Sequence, residues 1–172
     1  MSKLTQQEFF LKAELQFNEL LKSIAQQSAD GVRVDLAERD VFSRMLAVSR
    51  DLLSGFITGA GDGDEGPSVD VGGKTLHRSD EPHRRVYRSI FGKIDVERYV
   101  YAPGPKKKVE YSPVDSHLGM PRGEYSYVLE DWLERFCVKE PFAEGAENLA
   151  ALLNLKPSVR TAEVLNQRMA EH

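Results

Sequence analysis

The chain has one cysteine, Cys137, among 172 residues. A disulfide framework and a cysteine-built zinc site are thereby excluded, and Cys137 reads as a small core residue. No apolar run approaches the ~20 residues that cross a bilayer, so no membrane role is expected. No charged leader with an apolar centre precedes the first helical pattern, and the cytoplasm, with the nucleoid, is the expected compartment. The histidines 77, 83 and 117 are scattered, without the thiols or carboxylates that complete a metal site. Ser126 lacks the sequence context of a nucleophile. Asp95, Asp115 and Asp131 fall on a ribbon, a loop and a helix and do not form a two-metal set. No catalytic constellation, metal or cofactor is expected in this chain.

A strong basic excess is also absent. The formal net charge is −4. Residues 1–73 hold 7 Lys/Arg against 12 Asp/Glu, whereas residues 74–172 hold 16 against 15. A near-neutral second half is a weak footprint for a nucleic-acid binder. Hydrophobic residues make up 41% of the chain, enough for a packed core of modest size.

The patterning predicts an α+β, mainly helical protein. It would comprise an N-terminal αα-hairpin (1–58), a flexible acidic Gly-rich linker (59–73), a small antiparallel β-ribbon (74–121) and a C-terminal three-helix helix-turn-helix unit (122–172). Thr5 with Glu8 matches a capping box opening a helix to Ala29. Phe10, Ala13, Phe17, Leu20, Leu21 and Ile24 form its apolar stripe. A second helix is expected from Asp35, with Glu38 as capping partner, to Ile57. Val41, Met45, Val48, Leu52 and Phe56 would line its buried face. The two stripes are expected to face each other within one chain; a sharper reading is that the pair also makes a homodimer. The Asp/Gly segment 59–67 lacks the EF-hand spacing and reads as solvated linker.

Arg85–Ile90 and Lys93–Tyr101 read as strands joined at Phe91-Gly92-Lys93, with Gly92 at a positive φ. Ile94, Val96, Arg98 and Val100 alternate with Asp95, Glu97, Tyr99 and Tyr101. Pro103-Gly104-Pro105 ends the second strand, and Val109–Tyr111 is a short third one. Lys106, Lys107 and Lys108 form a basic loop at the ribbon tip. It suits either a grip on phosphates or a guard that keeps a strand edge soluble. Arg78, His83, Arg84, Arg85 and Arg88 add positive charge nearby and favour the electrostatic use. A further helix is expected over Tyr125–Val138, with Tyr125, Val128, Leu129, Trp132 and Phe136 on one face.

Residues 141–153 read as a short amphipathic helix, broken at Asn154-Leu155-Lys156-Pro157 and restarted over 158–169. Two short helices joined by a tight turn are the frame that sets a second helix in the major groove of double-stranded DNA. At 100° per residue, Ala162, Leu165 and Met169 share a buried face. Arg160, Thr161, Val164, Gln167 and Arg168 share the opposite one. Arginine forks onto guanine, glutamine onto adenine, and Val or the Thr methyl touches thymine. Lys156 and Ser158 sit at the helix start, where phosphates are favoured. An ordinary solvated helix face has the same composition.

The order of segments then resembles a known family. Arg88-Ser89-Ile90-Phe91-Gly92-Lys93-Ile94-Asp95-Val96-Glu97-Arg98-Tyr99-Val100-Tyr101 is followed by Ser112-Pro113-Val114-Asp115-Ser116-His117-Leu118-Gly119-Met120-Pro121, then Tyr125-Ser126 and the helix-turn-helix. Over roughly residues 35–170 this is similar to the N-terminal region of bacterial insertion-sequence transposases with a DDE catalytic domain. The resemblance implies sequence-specific recognition of transposon ends in DNA transposition, with catalysis in a C-terminal domain that this chain does not contain. Some relatives carry a cysteine pair where this chain has Ala102–Lys106, so a zinc ribbon is not implied. A stand-alone regulator of transposition or transcription and a protein-interaction module without a DNA role are the other readings.

Overall fold

The computed structural model describes residues 4–137 and Leu153. Two long helices lead: α1, Gln6–Ala29, and α2, Val34–Gly59. The Thr5–Glu8 capping box is present at α1, with the Thr5 amide donating to Glu8 Oε2 at 2.7 Å. Helix α2 starts differently from expectation. Arg33 is its N-cap without a side-chain cap, and Asp35 is engaged by the Arg33 guanidinium at 2.8 Å. No helix among the described residues is long and apolar enough to cross a membrane.

The helices pack as an antiparallel hairpin, through only part of the stripes the spacing predicts. Ala13, Leu20 and Val48 are buried in the seam. Phe10, Phe17 and Leu21 of α1 and Val41, Leu52 and Phe56 of α2 stand substantially exposed. Small and polar side chains take the closest positions instead. Asp51 and Ser54 are buried, and a Cβ added to Gly55 would fall on the Phe10 ring. Lys12 Nζ reaches Asp51 Oδ2 at 3.1 Å and Gln27 donates to Asp40 at 2.8 Å.

The β layer is two small antiparallel sheets. Strands β3 (His83–Ser89) and β4 (Gly92–Arg98) pair from His83↔Arg98 to Ser89↔Gly92. Gly92, at φ 117°, follows the two-residue turn, a conformation that glycine adopts without a Cβ penalty. Strand β4 alternates as expected: Ile94, Val96 and Arg98 are buried, and Lys93, Asp95 and Glu97 exposed. Ile94 and Val96 pack with Ile57, Leu53, Tyr87, Leu118 and Met120, which seats the ribbon on α2.

The second sheet has the order β1-β2-β5. Strands β1 (Ser68–Val71) and β2 (Lys74–Arg78) form a hairpin, and β5 (Tyr101–Ala102) pairs with β2. The strand read through to Tyr101 therefore ends at Arg98, and the chain crosses to the other sheet. There the Ser79 amide donates to the Val100 carbonyl at 2.8 Å and Tyr101 bridges Tyr111. The segment 59–73, composed like a linker, contains β1. Fully buried Tyr101 staples that segment: its hydroxyl accepts from the Glu65 amide at 2.8 Å and donates to the Gly66 carbonyl at 3.0 Å.

A one-turn helix, α3 (Pro113–His117), lies where only a loop is expected. Ser112 caps it and Pro113 opens it, a favourable pairing because proline has no N–H to leave unbonded. Asp115 of α3 meets both strands of the ribbon. Arg98 forks onto it, Nε to Oδ1 and an Nη to Oδ2, each at 2.9 Å, and Arg85 approaches Oδ2 at 2.8 Å. Arg85 also donates to the carbonyls of Pro121 and Gly123. Beyond these, α4 (Tyr127–Cys137) buries Leu129 and Leu133 with Leu153, against Ile90, Tyr125 and Trp132. The helix-turn-helix expected over 141–169 lies outside the described residues, Leu153 apart.

Removing one member of a buried ionic set leaves an uncompensated charge. Asp115→Ala, which leaves two guanidiniums facing each other, is expected to cost about 2–4 kcal/mol. Arg84→Ala, which breaks an exposed pair, should cost far less. Urea denaturation followed by circular dichroism measures both; equal losses would show that Asp115 does not organise the ribbon.

Candidate nucleic-acid interface

The residues expected on the recognition helix, Arg160, Thr161, Val164, Gln167 and Arg168, lie outside the described residues, as do Lys156 and Ser158. The described part of the interface is the loop after β5. The Lys107 amide closes a turn on the Gly104 carbonyl at 3.2 Å. Lys106 takes φ 59°, the one non-glycine residue at positive φ among the described residues. A lysine in this conformation has a Cβ clash that glycine would avoid, of order 1 kcal/mol. Lys106, Lys107 and Lys108 are all exposed, and none has an acidic partner among the described residues. The nearest acid in sequence, Glu110, is taken by Lys74 at 3.3 Å.

Lys106 and Lys107 border a groove of about 870 Å³ that His77, His83, Asp80 and Glu81 also line. The groove is electrostatically mixed; the lysine triplet at its edge is not.

The arginines before and within β3 do not form the free basic patch that their sequence positions suggest. Arg78 pairs with Asp64 and lies 4.7 Å from the Tyr99 ring centre. Arg84 pairs with Asp95 at 2.7 Å, Arg85 with Asp115 at 2.8 Å and Arg88 with Glu124 at 3.2 Å. Each of the four is engaged by a carboxylate, which Arg85 shares with Arg98, so their charge is largely offset within the fold. His83 is exposed at the groove. The lysine triplet, unlike these four arginines, is left as positive charge available to a polyanion.

The acidic turn 62–66 is similarly occupied. Asp62 Oδ1 accepts from the Asp64 amide at 3.1 Å, and Asp64 Oδ1 from the Gly66 amide at 2.9 Å. The Gly66 N–H, then Arg78, hold the Asp64 carboxyl below its ordinary value. Arg84 does the same for Asp95. Asp131 is bound by Arg135 at 3.0 Å. Among the described residues no group of three His, Cys, Asp or Glu is arranged to hold a metal ion. Gly63, at φ 75°, passes so close to Pro113 and Val114 that a Cβ there would sit 3.1 Å from the Val114 side chain. This close approach lets the acidic turn lie on α3.

No protein-family model, curated protein or solved structure matches the chain.

A carboxyl whose folded pKa is depressed stabilises the fold fully above its unfolded pKa, near ~3.9 for aspartate, and loses that contribution as pH falls through the folded value. The Asp64 contribution is therefore complete at neutral pH and drains only below the ordinary carboxylate range. In Asp64→Asn the contribution is absent at every pH, so stability at pH 7 falls while the acid limb of the stability–pH curve becomes shallower. Thermal melts between pH 2 and 7 check this; an acid limb identical to the parent's would exclude a depressed Asp64.

Proposed function

We propose that this chain binds double-stranded DNA as the non-catalytic, N-terminal part of a transposase-like protein that recognises transposon ends. The observation that carries the reading furthest on the described residues is the Lys106–Lys108 triplet. It is exposed, free of acidic partners there, and borne on a turn whose backbone is fixed by Gly104. Phosphate contacts position a protein on DNA, and base contacts specify the site. On this reading Lys106, Lys107 and Lys108 contact phosphates together with Lys156 and Ser158. Arg160, Thr161, Val164, Gln167 and Arg168 read base edges. Support for the second group is the wheel pattern of residues 158–169 and the resemblance of the segment order. A stand-alone regulator acting on the same DNA uses the same surfaces.

One observation favours a protein-interaction role beside this one: the apolar side chains left exposed along α1 and α2. The two roles use different parts of the molecule and are compatible.

Fluorescence anisotropy with duplexes from the ends of the element flanking the gene, and a scrambled duplex, at two salt concentrations tests the reading. Preferential binding that weakens steeply with salt is expected. The triple change of Lys106, Lys107 and Lys108 to Ala should flatten the log–log salt slope by up to ~0.9 per lost phosphate contact. Arg160→Ala should cost about 1–3 kcal/mol on the preferred duplex and little on the scrambled one. A folded protein that binds neither duplex would overturn the proposal.

A further inference from the structure

Both long helices leave large apolar side chains on the outside of the hairpin. Phe10, Phe17 and Leu21 of α1 and Val41, Leu52 and Phe56 of α2 are each between 37% and 59% exposed. The seam that does close the hairpin is poor in apolar contact. Gln16 and Gln27 each keep a buried side-chain oxygen without a hydrogen-bond partner there. Helices of 24 and 26 residues draw most of their stability from packing an apolar face, and this seam supplies little of it.

These six lie on one side of the hairpin, while Leu11, Leu15 and Phe42 are exposed elsewhere. At 100° per residue both stripes are turned in the same sense from the buried seam positions (Ala13 and Leu20 on α1, Val48, Asp51 and Gly55 on α2), which in an antiparallel pair brings them side by side. The ribbon occupies a different side, because Leu53 and Ile57 pack with Ile94 and Val96, and their directions are turned about 60–140° from those of Leu52 and Phe56. The face is thus left uncovered by the ribbon.

Charge and area identify what fits it. Phe10, Phe17 and Leu21 are separated by seven and four residues, and Val41, Leu52 and Phe56 by eleven and four, the spacing of one face of an α-helix. A helix that lies on a lipid surface is rich in Lys/Arg on its polar face, and this hairpin has no basic excess. Residues 1–58 carry 7 Lys/Arg and 8 Asp/Glu, so two copies meet with almost no net repulsion. Phenylalanine offers about 150–250 Å² of side-chain area. At these exposures the six residues contribute on the order of 500 Å² per copy and about 1,000 Å² across a two-fold interface. With a polar rim this reaches the ~1,200–2,000 Å² of a stable specific dimer.

We infer that this face is covered by the same face of a second copy, α1 and α2 of each chain forming a four-helix bundle around a two-fold axis. The inference rests on the proposed function only for the protein-interaction role that reading gives the hairpin. Two copies would then present two lysine triplets and two C-terminal reading segments, the arrangement that suits paired DNA sites.

Sedimentation equilibrium on the full chain, without DNA, tests the inference. A mass of two chains is expected at micromolar concentration. The double variant F17E/L52E, both positions being exposed in the single chain, should weaken the dimer by at least about 100-fold while its helical circular dichroism is retained. Leu15→Glu, at a 57% exposed position on the opposite side of α1, should leave the mass unchanged. A monomeric parent, or a dimer that F17E/L52E leaves intact, would overturn the inference, and so would a dimer that Leu15→Glu breaks equally. If F17E/L52E loses helicity, the single variant Leu21→Lys is measured in its place under the same criteria. Because no DNA is present, failure here leaves the anisotropy titration standing, and failure of that titration leaves the dimer standing.

Discussion

The Asp115 carboxylate, held between Arg85 and Arg98, is the interaction on which the rest of the β layer depends. Arg98 comes from β4 and Arg85 from β3, two strands otherwise joined by their ladder, the Ile57–Ile94–Val96 cluster and the exposed Arg84–Asp95 pair. A two-stranded ribbon is marginal alone. By taking both guanidiniums at once, Asp115 locks α3 across the ribbon, and Arg85 extends the lock to the carbonyls of Pro121 and Gly123. The Arg88 amide then donates to the Glu124 carbonyl at 2.6 Å, its carbonyl accepts from the Ser126 amide at 2.9 Å, and α4 begins. Desolvating three charges is costly, and the cost is met only because the set is bidentate and its spare donors reach carbonyl oxygens.

That set also accounts for the modest charge footprint of residues 74–172. Arginines that look available in sequence are used to hold strands, turns and α3 in place. Each is matched by a carboxylate 11 to 36 residues away, so the pairing is invisible to local reading. The lysine triplet escapes this use because the turn that carries it is closed by its own backbone and offers no acid within reach.

What was legible in the sequence was local. The Thr5–Glu8 box, the Gly92 turn and the alternation of Ile94, Val96 and Arg98 each depend on residues a few positions apart, and the structure has them. Helix α3 is written in Ser112-Pro113-Val114-Asp115, a cap, an opening proline and an acid in the first turn, but a single turn is too short to stand out from a loop by periodicity. The faces of α1 and α2 could not be read because periodicity reports that an apolar face exists and not what covers it. Gly55 and Asp51 set the hairpin seam, and neither carries an apolar signal. Strand β1 was hidden by the glycines and aspartates around it, since its order comes from pairing with β2 and from Tyr101. The site residues after Pro141 rest on sequence alone.

The Tyr101 hydroxyl has a consequence for how the chain assembles. By joining Glu65 and Gly66 to a residue 35 or 36 positions later, it closes a non-covalent ring around β1 to β4. The turn at Gly92 brings its strands together across two residues and on the microsecond scale, whereas the ring must first gather both sheets. Closure of such a long loop loses chain entropy before any contact compensates for it. The β3-β4 and β1-β2 hairpins, each joined across two residues, are therefore the local pieces, and the ring closed by Tyr101 is the long-range one. The fixed shape of the acidic turn belongs to the second kind, since it hangs on a phenol from far along the chain.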